Sequence, residues 1–150
     1  MNRKIGAAAA LAVLAAMFAS GCGSSSSSSK TALTKTEFVA KANAICKKGN
    51  AALAEATKTQ FSGSQPTTSE VAAFGTKTII PNIEGQITAI EALSAPSGDE
   101  AQVNAITDAV HHGLATVKDD PTLFAQRGNT SFAKADGLAK AYGLDQCASA

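Results

Sequence analysis

The stretch SGDEAQVNAITDAVHHGLATVKDDP (97–121) carries the clearest structural pattern in the sequence. Its apolar residues recur three or four positions apart, as on the buried face of an amphipathic helix: Val103, Ile106, Val110, Leu114 and Val117. Ser97 and Glu100 have the spacing of a capping box, which marks a helix start. Pro121 marks the end, because the residue before a proline is pushed out of the α region. The stretch therefore predicts an amphipathic helix.

Two similar start signals precede this helix. The box at 34–37 (TKTE) predicts a helix from Lys35 to near Gln60, and the box at 67–70 (TTSE) predicts a second helix that continues to about Ser94. Pro81 lies inside the second helix, where it removes one backbone hydrogen bond and crowds the preceding turn. We expect a kink there rather than a break.

A fourth helix is expected near the C-terminus. Asn129 or Thr130 is its expected N-cap, and Gly143 followed by Leu144 is typical of a left-handed C-terminal cap. No alternating run beside a hairpin turn predicts a strand. The fold class is therefore all-α, a small antiparallel four-helix bundle. Because its helices are rich in alanine, we expect a dense core rather than a roomy pocket.

The N-terminus has the three-part layout of an export signal. Residues 2–4 are polar and basic, residues 5–18 form an uncharged apolar run, and residues 19–21 are small. The run is shorter than the ~20 residues that a membrane-spanning helix needs. Ala19-Ser20-Gly21-Cys22 resembles the lipobox of bacterial lipoproteins, in which the cysteine becomes the lipidated N-terminus, although Ala19 stands where that pattern prefers leucine. The alternative is an ordinary secretory signal that leaves Cys22 free or disulfide-bonded.

The sequence thus divides into three parts. These are a cleaved signal peptide (1–21), a lipidated Cys22 with a disordered serine-rich tether (22–32), and a helical domain (33–150). Two or three acyl chains hold a protein on a bilayer where one chain would not. A flexible tether of this length typically reaches only ~17–20 Å. We expect the domain to lie close to the extracytoplasmic face of the cell membrane.

Charge and cysteine content narrow the function further. The chain has 13 Lys and Arg against 12 Asp and Glu, with no basic patch interleaved with aromatic residues, so nucleic acid is not an expected partner. If Cys22 carries the lipid, Cys46 and Cys147 are the remaining thiols, and an exported protein usually pairs such cysteines. We predict a Cys46–Cys147 disulfide. The alternatives are two buried reduced cysteines or a catalytic thiol.

The chain resembles a group of small actinobacterial lipoproteins and secreted proteins over residues 33–147. The resemblance rests on five segments in order: LTKTEF (33–38), ANAIC (42–46), IPNI (80–83), APSGDE (95–100) and YGLDQC (142–147). Asn43 departs from the group, in which many members have an acid at that position. The group has no known activity, so the resemblance implies no catalytic residue.

The sequence offers little catalytic chemistry. His111 and His112 are adjacent and point about 100° apart on a helix, so they cannot share a metal ion as an i, i+4 pair would. Asp108 and His112 have the i, i+4 spacing and could form a carboxylate–histidine pair, but no third ligand is evident. We therefore predict no catalytic residue, no metal site and no cofactor, and we do not expect an enzyme.

Three hypotheses follow. The leading one is a binding or interaction module anchored to the membrane through Cys22, with an envelope protein or a small ligand as its partner. The second is a purely structural cell-envelope protein. The third is an enzyme that uses Asp108 and His112.

Overall fold

The computed structural model describes residues 32–63 and 65–148. The predicted signal peptide, the predicted lipidation site at Cys22 and nearly all of the predicted tether lie outside these residues. The elements follow in the order α1 (Lys35–Gln60), α2 (Thr68–Phe74), a π-helical segment (Gly75–Ile79), α3 (Ile80–Glu91), α4 (Glu100–Asp119), a 3₁₀ turn (Pro121–Ala125) and α5 (Ala133–Tyr142). The all-α class is confirmed. Within the described ranges, no helix is both long and apolar enough to pass through a membrane.

The first two helix starts are the predicted capping boxes. Glu37 accepts hydrogen bonds from the hydroxyl of Thr34 and from its backbone N–H, 2.9 Å away, and the Glu37 N–H donates to that hydroxyl. Thr67 and Glu70 repeat this arrangement. These bonds favour the ionised carboxylates, so the pKa values of Glu37 and Glu70 lie below their usual range.

The third predicted box, at Ser97, is wrong. Asp99 is the residue that precedes α4, and its side chain makes no capping hydrogen bond. Its carboxylate instead accepts a 2.7 Å hydrogen bond from the Tyr142 hydroxyl and lies 3.6 Å from the Lys35 ammonium. Tertiary partners thus occupy the group that would otherwise cap the helix, and Glu100 accepts from the Gly98 N–H at 2.7 Å.

Pro81 does not break the second helix. α2, the π-helical segment and α3 follow one another without interruption, and Pro81 stands in the first turn of α3. Proline has no N–H and crowds the carbonyl four residues before it, and the wider turn of Gly75–Ile79 lies where that strain falls. The prediction that the helix does not break at Pro81 is confirmed, and the predicted kink stays a prediction. The π-helical turn was not predicted.

The last helix begins later than expected. Neither Asn129 nor Thr130 is its N-cap, because α5 starts at Ala133. Asn129 instead closes the preceding turn by accepting from the N–H of Ser131 at 2.9 Å and from its hydroxyl at 2.6 Å.

The predicted C-terminal cap of α5 is confirmed. Gly143 has a φ of +100°, and the N–H of Leu144 donates to the Ala139 carbonyl at 2.8 Å. The Gly143 N–H donates to the carbonyl of Lys140, which completes a Schellman motif. Leu144 is then held in the core with 1% of its surface exposed.

Four helical rods, with α2 and α3 forming one of them, pack as an antiparallel bundle. Between consecutive rods, residue numbers rise along one rod as they fall along its neighbour. The first and second rods show this at the contacts Gly49–Asn82 and Phe61–Phe74, and the second and third at Glu91–His111 and Glu84–Lys118. The third and fourth show it at Asp99–Tyr142 and Gly113–Phe132. The predicted architecture is therefore confirmed.

The buried side chains form two clusters. The first lies where α1, α4 and α5 meet the C-terminal segment and includes Phe38, Ala42, Ile106, Tyr142 and Leu144. The second lies between α3 and the C-terminal half of α4 and includes Ile80, Ile87, Leu114 and Val117. The candidate site lies between them.

Candidate functional site

A cavity of about 500 Å³ lies at the centre of the bundle, between the two clusters. Its lining comes from α1, α3, α4, α5 and the α4–α5 connection (residues 120–132), and most of it is aliphatic or aromatic. The prediction of a dense core without a roomy pocket, which rested on the alanine content, is therefore wrong.

The cavity exists because the bundle is unequal in length. α5 has 10 residues and α4 has 20, so at 1.5 Å per residue α5 covers about half of its neighbour. Beyond the start of α5, Leu53, Ile79 and Ile83 line the cavity and are only partly buried. Where α5 does face the cavity it presents Ala135 and Ala139, whose small side chains occupy little of the space between the helices.

Two phenylalanine rings hold the α4–α5 connection against the bundle. Phe124 packs against Gly75 so tightly that a Cβ on that glycine would lie 2.3 Å from the ring, and Phe132 leaves only 2.5 Å at Gly113. Both rings also line the cavity. The two glycines therefore let the connection sit close enough to form a wall.

The disulfide forms another part of the cavity lining. Cys46 and Cys147 are bonded, with their Cα atoms 5.0 Å apart, which confirms the predicted pairing. Both cysteines line the cavity. The bridge thus fixes the C-terminal segment against α1 and makes it part of the site.

Two asparagines of α1 hold the same segment. The Asn43 amide donates to the Gly143 carbonyl at 3.0 Å and accepts from the Gln146 N–H at 2.9 Å, and Asn50 donates to the Gln146 carbonyl at 2.8 Å. An aspartate at position 43 could accept from Gln146 but could not donate to Gly143 when ionised. This gives a structural role to the asparagine that departs from the resembling group.

Asp136 is the only charged side chain that lines the cavity in the described part of the chain. It lies in the first turn of α5 and is partly buried. Within residues 32–63 and 65–148 its carboxylate has no hydrogen bond and no ion pair. Burial disfavours the ionised form and raises the pKa of Asp136 above its ordinary value.

The remaining polar groups at the cavity are amides. Gln86 donates to the Asn82 side-chain oxygen at 2.6 Å, and Asn129 is engaged in its own turn. Gln126 is exposed at the rim. Within the part of the chain that the structure describes, the site therefore combines an apolar interior with one carboxylate that has no hydrogen bond or ion pair.

The sequence did not single out Asp136, although it contained a signal. Asp136 is four residues after Phe132 and three before Ala139, which places an acid at the edge of an apolar helical face.

The structure does not assemble a site around Asp108 and His112. Both residues are exposed on α4, and no hydrogen bond joins them in the described residues. The neighbouring His111 instead lies 2.7 Å from the Glu91 carboxylate on α3. Over residues 32–63 and 65–148, no three His, Cys, Asp or Glu side chains are grouped so that they could hold a metal ion.

In comparisons with known proteins, no protein-family model, no curated protein and no solved structure matches the chain. The resemblance to the actinobacterial group stays a prediction. The cavity and its lining are therefore the basis for a functional proposal.

Proposed function

We propose that the protein is a binding module, held on the extracytoplasmic face of the cell membrane by a lipid on Cys22, that takes a small apolar molecule into its central cavity. The observation that carries the proposal is the cavity itself. Its volume of about 500 Å³ falls within the range of pockets that enclose small ligands, and its apolar lining with a few polar groups has their usual composition.

The energetics of the fold support a bound ligand. Apolar side chains that line a cavity make fewer protein contacts than side chains in a fully packed core, and this costs stability. A molecule that fills the space between Leu53, Ile83 and Phe132 would restore those contacts. A purely structural envelope protein has no need of such a space, so the cavity favours the binding hypothesis over the structural one.

A neutral apolar fluorophore tests the proposal. N-phenyl-1-naphthylamine should show enhanced fluorescence with the mature chain, and Leu53→Trp, which places an indole in the cavity, should weaken its affinity about tenfold or more. Ala52→Trp is the matched control, since Ala52 is exposed on the same helix and does not line the cavity. The proposal is wrong if the dye does not bind, or if both tryptophan variants bind it as the wild type does.

The anchor needs a separate test. Mass spectrometry of the mature protein from membranes should give a chain that begins at a lipid-modified Cys22, and Cys22→Ser should release the domain from the membrane fraction. An unmodified Cys22 in membrane-derived protein would refute the lipid anchor and leave the binding proposal intact.

A further inference from the structure

We infer that the ligand is a cationic amphiphile, an apolar molecule with a protonated amine at one end, and that the Asp136 carboxylate receives that amine. This inference rests on the proposed function, because it assigns a ligand class to the same cavity. The inference concerns which polar end group of an apolar ligand the cavity prefers. A test can show that the cavity has no such preference and still show that it binds apolar molecules.

The first argument is the charge of the lining. In the described residues, the cavity wall contains one carboxylate and no lysine, arginine or histidine. An anionic amphiphile such as a fatty acid would bring a second negative charge next to Asp136 with no cation to offset it. A cationic end group would instead form a charge-assisted hydrogen bond with the carboxylate. The electrostatics therefore select against acids and in favour of amines.

The second argument is the state of Asp136 itself. Taking a carboxylate out of water without a partner costs free energy, and this one has no hydrogen bond and no ion pair within residues 32–63 and 65–148. Burial raises the pKa of Asp136, because the free-energy cost falls on the ionised form and not on the protonated one. An ammonium group at the carboxylate would supply the missing partner.

The position of Asp136 on the cavity wall also favours an amphiphile. Asp136 lies one turn after Phe132 and one turn before Ala139, and all three line the cavity. The carboxylate thus stands on the same wall as the apolar side chains that would hold an alkyl or aryl body. Gln86 on α3 is already bonded to Asn82, so Asp136 is the uncommitted charged group at this wall.

The experiment compares three probes of equal chain length: decylamine, decanol and decanoic acid. Isothermal titration uses the mature chain with Cys22→Ser, which removes the lipid and avoids detergent. We expect decylamine to bind about tenfold tighter than decanol, because only the amine forms a charge-assisted hydrogen bond with Asp136, and we expect decanoic acid to bind weakest. Asp136→Asn should lower the affinity for decylamine to that of decanol and leave decanol unchanged. Asp108→Asn, which removes an exposed carboxylate outside the cavity, should change none of the three affinities.

A second readout does not depend on the variant folding. Carboxyl NMR of the wild-type chain should show that saturating decylamine lowers the pKa of Asp136, whereas decanol does not. Equal affinities for amine and alcohol, an unchanged preference in Asp136→Asn, or an Asp136 pKa that decylamine does not move would each overturn the inference. If N-phenyl-1-naphthylamine still binds, the proposed function survives that result, and if no probe binds, both fall.

Discussion

Gly113→Ala should destabilise the protein, although alanine is the better helix former. Gly113 is buried in α4, and a Cβ there would lie 2.5 Å from the Phe132 ring and 2.8 Å from the backbone oxygen of Ser131. The backbone oxygen cannot swing aside as a side chain can. The α4–α5 connection must therefore move outward, and it carries part of the cavity wall with it.

The magnitude follows from two opposing effects. Replacing glycine in a helix interior by alanine gains about 0.5–1 kcal/mol. Forcing a methyl group into a filled contact costs about 1–3 kcal/mol. Gly137→Ala on α5 isolates the first effect, because a Cβ at that position meets nothing within 4 Å. The two variants should therefore differ in their free energies of unfolding by about 1–3 kcal/mol, with Gly137→Ala the more stable.

Urea unfolding followed by circular dichroism measures the difference. With an m-value of about 1.5 kcal/mol per molar urea, the midpoints should differ by about 0.7–2 M. Gly113→Ala should also weaken N-phenyl-1-naphthylamine binding, since Phe132 lines the cavity, whereas Gly137→Ala should not. Equal midpoints for the two variants would refute the close approach of the connection to α4.

Three further predictions concern the disulfide and the titrating groups. Reducing the disulfide, which spans 101 positions, should lower the free energy of unfolding by up to about 4.7 kcal/mol, as urea unfolding with and without a reductant measures. Burial, and then the hydrogen bond to Asp99, raises the pKa of Tyr142, so phenolate absorbance of this single tyrosine should not appear near pH 10.0. The stability that this shift adds is fully present below pH 10.0 and is lost as the pH rises from there through the higher folded value. The pKa values of Glu37 and Glu70 are lowered, so the stability that these carboxylates add is present above pH 4.5 and is lost as the pH falls through their folded values. Thr34→Ala should make the loss of stability in acid smaller, as thermal unfolding over a series of pH values measures.

Each of these has a clear contrary result. Identical urea midpoints with and without reductant would mean that the bridge adds nothing to stability. Ordinary tyrosine titration in the folded protein would mean that the Tyr142 hydroxyl is not buried against Asp99. An acid limb that Thr34→Ala leaves unchanged would mean that the first capping box does not contribute to stability.

The helices could be predicted because their signals are local. The boxes at Thr34 and Thr67 and the left-handed residue at Gly143 each satisfy backbone groups within a few positions of themselves, so they form regardless of the rest of the fold. The cysteine pairing was also predictable, because only Cys46 and Cys147 remain to pair if Cys22 carries a lipid in an exported protein. These features determine the fold class.

Features that depend on distant partners were missed. Ser97 does not cap α4, and the carboxylate of Asp99 is bonded by Tyr142 rather than by the helix start. The sequence cannot show that Tyr142 lies within reach. The cavity depends likewise on the unequal lengths of α4 and α5 and on where the α4–α5 connection packs. The position of Asp136 in the cavity lining therefore could not be predicted from the sequence.

The central claim is that the cavity is a ligand site with Asp136 at its polar end. A crystal structure of the mature chain grown with decylamine tests it most directly. We expect an alkyl chain between Leu53, Ile83 and Phe132, with the amine nitrogen about 2.7–2.9 Å from the Asp136 carboxylate. A structure with an empty cavity at saturating decylamine, or with the amine bound on the outer surface, would contradict it.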